Sequence, residues 1–258
     1  MIQQRLEFED PFRGLDAGAI YSLLAGPDRS NGNLPRWPSE QLQRGYTGGF
    51  GPFLVTRAKA FISMLEADGA FVANWKALDY GCGWGRIASL MLAKGGPEQL
   101  DMCDAWKKTL SILSSLNFRN KRWLVSESLS KGEIPANTYD FVFAFSVFTH
   151  LLPGVFLNNI EILAGGLKKG GSLYFTVRHD EFLAHKYPLI SGEAKRKLES
   201  DGIWFTPTKG DMGGSQAFGD TVVTGEFMTN LGKEFGSVRY LGRPHEREFQ
   251  HLYSLTTK

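Results

Sequence analysis

The chain has 258 residues, enough for one large α/β domain with a buried core, or such a domain with a small cap. Hydrophobic residues make up 42% and charged residues 22%, and Lys plus Arg exceed Asp plus Glu by only 29 to 27. That balance gives no electrostatic reason to bind nucleic acid or an anionic membrane. Cys82 and Cys103 are too few for a disulfide framework. The first ten residues, MIQQRLEFED, are polar and acidic, unlike a secretory signal. No apolar run approaches the ~20 residues of a membrane span. The expectation is a cytoplasmic protein in a reducing compartment.

Residues 1 to about 50 are dense in breakers: Pro11, Pro27, Pro35, Pro38 and the run Gly45-Tyr46-Thr47-Gly48-Gly49-Phe50-Gly51. This argues against a regular sheet there, although a short helix over Ala17–Leu24 is expected. Leu54, Ala58, Phe61, Ile62 and Leu65 then share one helical face. From Trp75 strands and helices alternate. Strands are expected at 76–80, 99–103, 122–125, 139–145 and 172–177, with helices at 87–93, 107–116 and 154–167. Such alternation is the signature of a parallel sheet covered on both faces. After Arg178 the rhythm loosens into a polar helix near Gly192–Ser200 and a glycine-rich stretch from Gly210 to Gly219. A helix from Thr224 to Phe235 and two extended runs, Ser237–Leu241 and Phe249–Thr256, close the chain. These runs, joined by Gly242-Arg243-Pro244-His245-Glu246, predict an antiparallel hairpin at the sheet's edge. The predicted fold is therefore a doubly wound, mostly parallel α/β sheet of seven strands. Residues 1–70 would form an N-terminal arm and helical lid. Residues 71–258 would form the catalytic domain, with an insertion at about 180–220.

The strongest local signal is Asp79-Tyr80-Gly81-Cys82-Gly83-Trp84-Gly85-Arg86, between a predicted strand and a predicted helix. Glycines let the backbone turn sharply and approach a ligand, and the helix start offers unpaired N–H groups. The spacing is G-x-G-x-G, and Arg86 fills the sixth place, where a dinucleotide fingerprint wants Gly or Ala. Asp104, at the end of the second strand, lies 19 residues after Gly85, close to the ~20 expected of an acid that accepts ribose hydroxyls. The pattern predicts a cofactor with a ribose and no pyrophosphate. The bland alternative for Asp104 is a helix N-cap.

These residues resemble the first motif of class I S-adenosylmethionine-dependent methyltransferases. Further resemblances follow in order: Ile134-Pro135-Ala136-Asn137-Thr138-Tyr139-Asp140 leading into the fourth strand, Phe143 to Leu151 through and after it, and Leu167-Lys168-Lys169-Gly170-Gly171 before the fifth. The resemblance implies S-adenosylmethionine as cofactor. Gly81, Cys82, Gly83 and Gly85 would cradle its methionine part, Asp79 would orient that part, and Asp104 would bind the ribose. Ser126 or Glu127 would meet the adenine. Phe145 and Ser146 would line the methyl group. Independently of the resemblance, Tyr46 in its glycine-rich segment, with Trp37, is expected as a lid over the cofactor, with a hydrophobic anchor for the arm as the compatible alternative.

Methyl transfer from a sulfonium is an in-line displacement, so alignment matters most, and a general base adds to it where the acceptor is a hydroxyl. His150 and His179 are the candidate bases, each at a predicted strand end. A capping histidine and a surface Arg-His-Asp cluster are their structural alternatives. Arg86 could bind a carboxylate of cofactor or substrate. No metal-ligand spacing occurs, so no metal is expected. The absence of a basic stripe favours a small-molecule or sugar acceptor, held in a pocket of Trp204, Phe205, Phe218 and Tyr187. The sequence leaves the oligomeric state open. A nicotinamide oxidoreductase is disfavoured by Arg86, and a non-catalytic cofactor-binding protein stands as the alternative.

Overall fold

The structure, a computed structural model, describes residues 9–26, 34–208, 218–245 and 249–257. Pro27, Glu246 and most of the Gly210–Gly219 run lie outside the described residues. Three helices open the chain: α1 (Ala17–Ala25), α2 (Glu40–Thr47) and α3 (Pro52–Ala67). The alternating part follows as β1 (Ala77–Tyr80), α4 (Arg86–Met91), β2 (Leu100–Asp104), α5 (Lys107–Ser115), β3 (Arg122–Leu124), β4 (Tyr139–Ala144), α6 (Pro153–Gly166) and β5 (Leu167–Val177). Next come α7 (Glu181–Lys186), α8 (Ser191–Asp201), β6 (Ile203–Pro207), β7 (Gly219–Val223), α9 (Gly225–Phe235), β8 (Gly236–Gly242) and β9 (His251–Thr257).

Seven strands make one sheet in the order β3-β2-β1-β4-β5-β9-β8. The first five are parallel, and β9 lies antiparallel between β5 and β8. The expected doubly wound, seven-stranded sheet is therefore the observed one. The strand order reverses between β1 and β4, and ligands of open α/β sheets bind outside the carboxyl ends of the strands at such a switch.

Side chains alternate across the pleat, so each strand feeds two cores. Ala77, Met102, Phe141, Phe143 and Tyr174 pack on one face with the α3 residues Leu54, Ala58, Phe61 and Leu65. Leu78, Cys103, Val142, Ala144 and Phe175 pack on the other with Phe156, Ile160 and Leu163 of α6. The α3 spacing accounts for its buried face, and Pro52 suits the start of the helix, where its missing N–H costs nothing.

Two elements depart from the sequence reading. Helix α2 forms inside the breaker-rich arm, with the Ser39 hydroxyl accepting from Leu42 N–H and Gly48 closing it in the left-handed conformation. The stretch after Arg178 holds its own two-stranded antiparallel sheet, β6 on β7.

Candidate functional site

A cavity of about 470 Å³ opens beside the ends of β1, β2, β4 and β5. Such a volume suits a drug-sized ligand. Its floor is the turn from Gly81 to Gly85. Gly81 and Cys82 N–H donate to the Cys103 carbonyl at 2.9 and 3.1 Å. Asp104 pins the same turn from the side: Oδ2 accepts from Gly83 N–H at 2.9 Å, and Oδ1 accepts from Trp106 N–H at 2.8 Å. Gly85 has a φ of +85°, and an added Cβ would lie 2.2 Å from Phe118 Cζ. Close packing therefore demands glycine there. Gly83 differs: its Cβ position faces only the Tyr46 ring, at 3.5 Å.

Two buried polar atoms of the cavity find no hydrogen bond among the described residues. Asp79 Oδ2 and Arg86 Nη1 are buried without a hydrogen-bond partner among the described residues, and both side chains line the cavity. Burial, reinforced by the charge of Asp104, holds the Asp79 carboxyl well above its usual range, with Arg86 opposing. Burial and nearby Arg57 push Arg86 down to about 9. The Arg86 guanidinium lies over the Phe145 ring at 4.8 Å. Unsatisfied groups of this kind are rare, because each costs roughly 1–3 kcal/mol. A carboxyl oxygen and a guanidinium nitrogen without hydrogen bonds in one cavity suit a ligand bearing both an ammonium and a carboxylate.

Opposite the cradle stand Ser146, His150, Arg178, Phe218 and Gln250. Ser146 has a φ of +63°, uncommon for a residue with a side chain and often associated with functional sites. His150 donates through Nδ1 to the Gly219 carbonyl at 2.7 Å, and its ring stacks on Phe218 at 4.7 Å. Burial and the neighbouring Arg178 push its pKa down to about 4. Asp220, buried, binds Arg178 at 2.6 Å and is also held by Lys186 and Tyr187. Burial raises its pKa, but these partners win and hold it below the usual range.

Residues 78–175 match the family described as a methyltransferase domain. Over those residues the chain is similar to that methyltransferase family. The fold agrees with that of solved structures. An S-adenosylmethionine-dependent methyltransferase from Leishmania major is 16% identical, covering 83% of this chain and 76% of that one with a TM-score of 0.57. A Pyrococcus horikoshii protein is 14% identical, covering 86% of this chain and 100% of that one with a TM-score of 0.56. The magnesium protoporphyrin IX methyltransferase of Synechocystis, solved with bound S-adenosylhomocysteine, is 15% identical, covering 80% and 85% with a TM-score of 0.52. At these identities the likeness is one of fold. No curated protein sequence matches the chain at a significant level.

Against the sequence reading, the cavity gathers Tyr46, Asp79, Gly81, Cys82, Gly83, Asp104, Glu127, Phe145, Ser146 and His150. Gly85 lies at the end of the turn, as the cap of α4. Ser126 is not among the lining residues: its N–H and hydroxyl bind Glu133 at 2.8 and 2.9 Å. His179 also lies elsewhere, at a second cleft, bonded to the Val223 carbonyl and the Tyr253 hydroxyl at 2.7 and 2.9 Å. Trp37 is a buried anchor against Trp84, 4.9 Å away, rather than a lid. Of the expected apolar acceptor pocket only Phe218 reaches the cavity, while Tyr187 and Trp204 pack on each other at 5.5 Å. Arg57, Trp106, Arg178 and Gln250 line the cavity without having been singled out as site residues. For Trp106, Arg178 and Gln250 the signal was position, in or beside a loop at the carboxyl edge; Arg57 comes from within α3 and gave no such signal. No described helix is long and apolar enough to cross a membrane, and no cluster of metal-binding side chains occurs among the described residues.

Proposed function

We propose that this domain transfers the methyl group of S-adenosylmethionine to a small-molecule or sugar acceptor in the cavity. The observation that carries the reading is the pair of unsatisfied buried groups, Asp79 Oδ2 and Arg86 Nη1, beside a glycine turn in one cavity. An amino-acid tail supplies the two charges they lack: its ammonium for Asp79 and its carboxylate for Arg86. Asp104 and Glu127 take the nucleoside end, with Trp106 and Tyr46 as ring contacts, 6.0 Å apart. Phe145 and Ser146, just past β4, line the region between cofactor and acceptor.

When bound, S-adenosylmethionine supplies an activated methyl group. The chain's residues supply alignment, which is worth roughly 7–11 kcal/mol in well-oriented systems, and they keep water out. Tyr46, from α2, covers Gly83 and meets the Thr109 hydroxyl at 3.4 Å, so the arm forms a wall of the cavity. His150 stands on the acceptor side. His179 belongs to a separate hydrogen-bonded cluster and is not assigned to the reaction.

Calorimetric titration with S-adenosylhomocysteine tests this reading. Binding is expected, and Asp79→Asn should weaken it roughly ten- to a hundredfold, as loss of a charge-assisted hydrogen bond does. Absence of binding to the unaltered protein would refute it.

A further inference from the structure

The wall facing the cradle carries hydrogen-bond donors whose directions can be worked out from the bonds around them. Ser146 N–H donates to Thr176 Oγ1 at 2.8 Å. The Thr176 hydroxyl then directs its own proton to Gln250 Oε1, 2.7 Å away. This fixes the Gln250 amide, whose Nε2 donates to Ser146 Oγ at 2.9 Å. Because the Ser146 hydroxyl accepts from Gln250, its proton points elsewhere. Thr149 joins this chain to a cation: Oγ1 lies 3.4 Å from Ser146 Oγ, and its carbonyl accepts from Arg178 Nη1 at 3.0 Å. Arg178 shares Asp220 with Lys186, so two cations face one carboxylate.

Among its described residues this wall has no uncommitted base: its carboxylate, Asp220, is held by Arg178, Lys186 and Tyr187. His150 Nδ1–H is committed to the Gly219 carbonyl, so its lone pair is on Nε2, which faces Arg178 Nη2 at 3.4 Å. Burial beside that cation disfavours protonation and brings the pKa to about 4. Asp79 in β1, Asp104 at the end of β2 and Glu127 past β3 lie on the cradle side. Burial raises the Tyr46 and Cys82 pKa values, so both stay protonated.

We propose that the acceptor is an apolar monocarboxylate, methylated on its carboxylate oxygen to give a methyl ester. This rests on the methyl-donor reading above. A carboxylate lone pair forms the new O–CH3 bond as the S–CH3 bond breaks, and the pair from that bond stays on sulfur. Sulfonium and carboxylate become neutral thioether and neutral ester. No proton is released, so a wall without an uncommitted base suffices. Arg178, Gln250 and Ser146 donate to one oxygen and leave the other to attack, while Phe218 and Leu151 contact the apolar body.

Calorimetry of the protein saturated with S-adenosylhomocysteine, titrated with benzoate, benzyl alcohol and benzylamine, tests this. Benzoate should bind at least tenfold more tightly than the other two. Arg178→Gln should remove that preference. So should Gln250→Glu, which replaces a donor by a negative charge, and both variants should still bind S-adenosylhomocysteine, which shows that they are folded. Benzoate binding no tighter than benzyl alcohol or benzylamine overturns the carboxylate proposal and leaves the cofactor reading standing. Failure of S-adenosylhomocysteine to bind the unaltered protein overturns both. A methylated product that survives alkaline hydrolysis also overturns the ester.

Discussion

The two walls of the cavity are held by different forces. The cradle wall is steric and backbone-made: a glycine turn whose N–H groups bond the Cys103 carbonyl and the Asp104 carboxylate, between parallel strands buried on both faces. The opposite wall is held by charge, with Asp220 of β7 tying the end of β5, through Arg178, to the end of α7, through Lys186 and Tyr187. A wall of fixed backbone suits a constant ligand such as a cofactor. A wall of side chains on an inserted hairpin suits a part that varies between enzymes on one fold.

The comparison can be broken most severely at Gly85. Gly85→Ala puts a methyl 2.2 Å from Phe118 Cζ at a φ of +85°. Overpacking of ~1–3 kcal/mol and a left-handed penalty of ~1–2 kcal/mol add to roughly 4 kcal/mol. Denaturant unfolding should show a cooperative loss of the whole sheet. Asp220→Ala attacks the other wall and leaves two cations without their shared partner, one of them, Lys186, partly exposed. A loss of roughly 3 kcal/mol is expected, below the upper range for buried pairs. Hydrogen exchange should rise in residues 178–207 and 218–223 while β1, β2 and β4 stay protected. Equal exposure of both regions would show that the walls are not separable.

Most of the cradle was legible in the sequence because its causes are local. A glycine triplet between a strand and a helix, and an acid at the next strand end, each follow from backbone geometry at a known spacing. Strand β4, apolar at nearly every position, was legible for the same reason. Helix α2 was missed because glycines and prolines were counted as breakers, although Ser39 and Gly48 stand where an N-cap and a left-handed C-cap belong. The acceptor wall was not legible. The sequence shows Asp220 after a glycine-rich run; only the fold reveals that Arg178 and Lys186, 42 and 34 residues away, converge on it. Trp204 and Tyr187 were aromatic enough to suggest a pocket, yet they fill a satellite core with Phe182 and Leu198.

Acid distinguishes the walls through His150. Its pKa falls from 6.5 to about 4 on folding, so below pH 6.5 the unfolded chain takes up a proton that the folded chain refuses. The stability this histidine contributes is complete above pH 6.5 and is lost as pH falls to about 4. At ~1.4 kcal/mol per pKa unit the loss by pH 4 is roughly 3 kcal/mol. Midpoints of urea unfolding between pH 7 and 4 should fall less steeply in His150→Asn than in the unaltered protein. Parallel curves would remove His150 from the electrostatics of that wall.

The smallest effect sharpens the contrast within the cradle itself. Gly83 has a φ of +52°, but its Cβ position is 3.5 Å from the Tyr46 ring, an ordinary contact. Gly83→Ala should therefore cost only about 1 kcal/mol of stability, the left-handed penalty alone. Yet the added methyl lies between the turn and the one aromatic ring of α2 that reaches the cavity. If that gap belongs to the ligand, the variant should fold almost normally and lose most of its affinity for S-adenosylhomocysteine. A variant that unfolds like Gly85→Ala would mean that all the glycines serve the turn's packing. One that binds unchanged would mean that the cofactor approaches from another side of the turn.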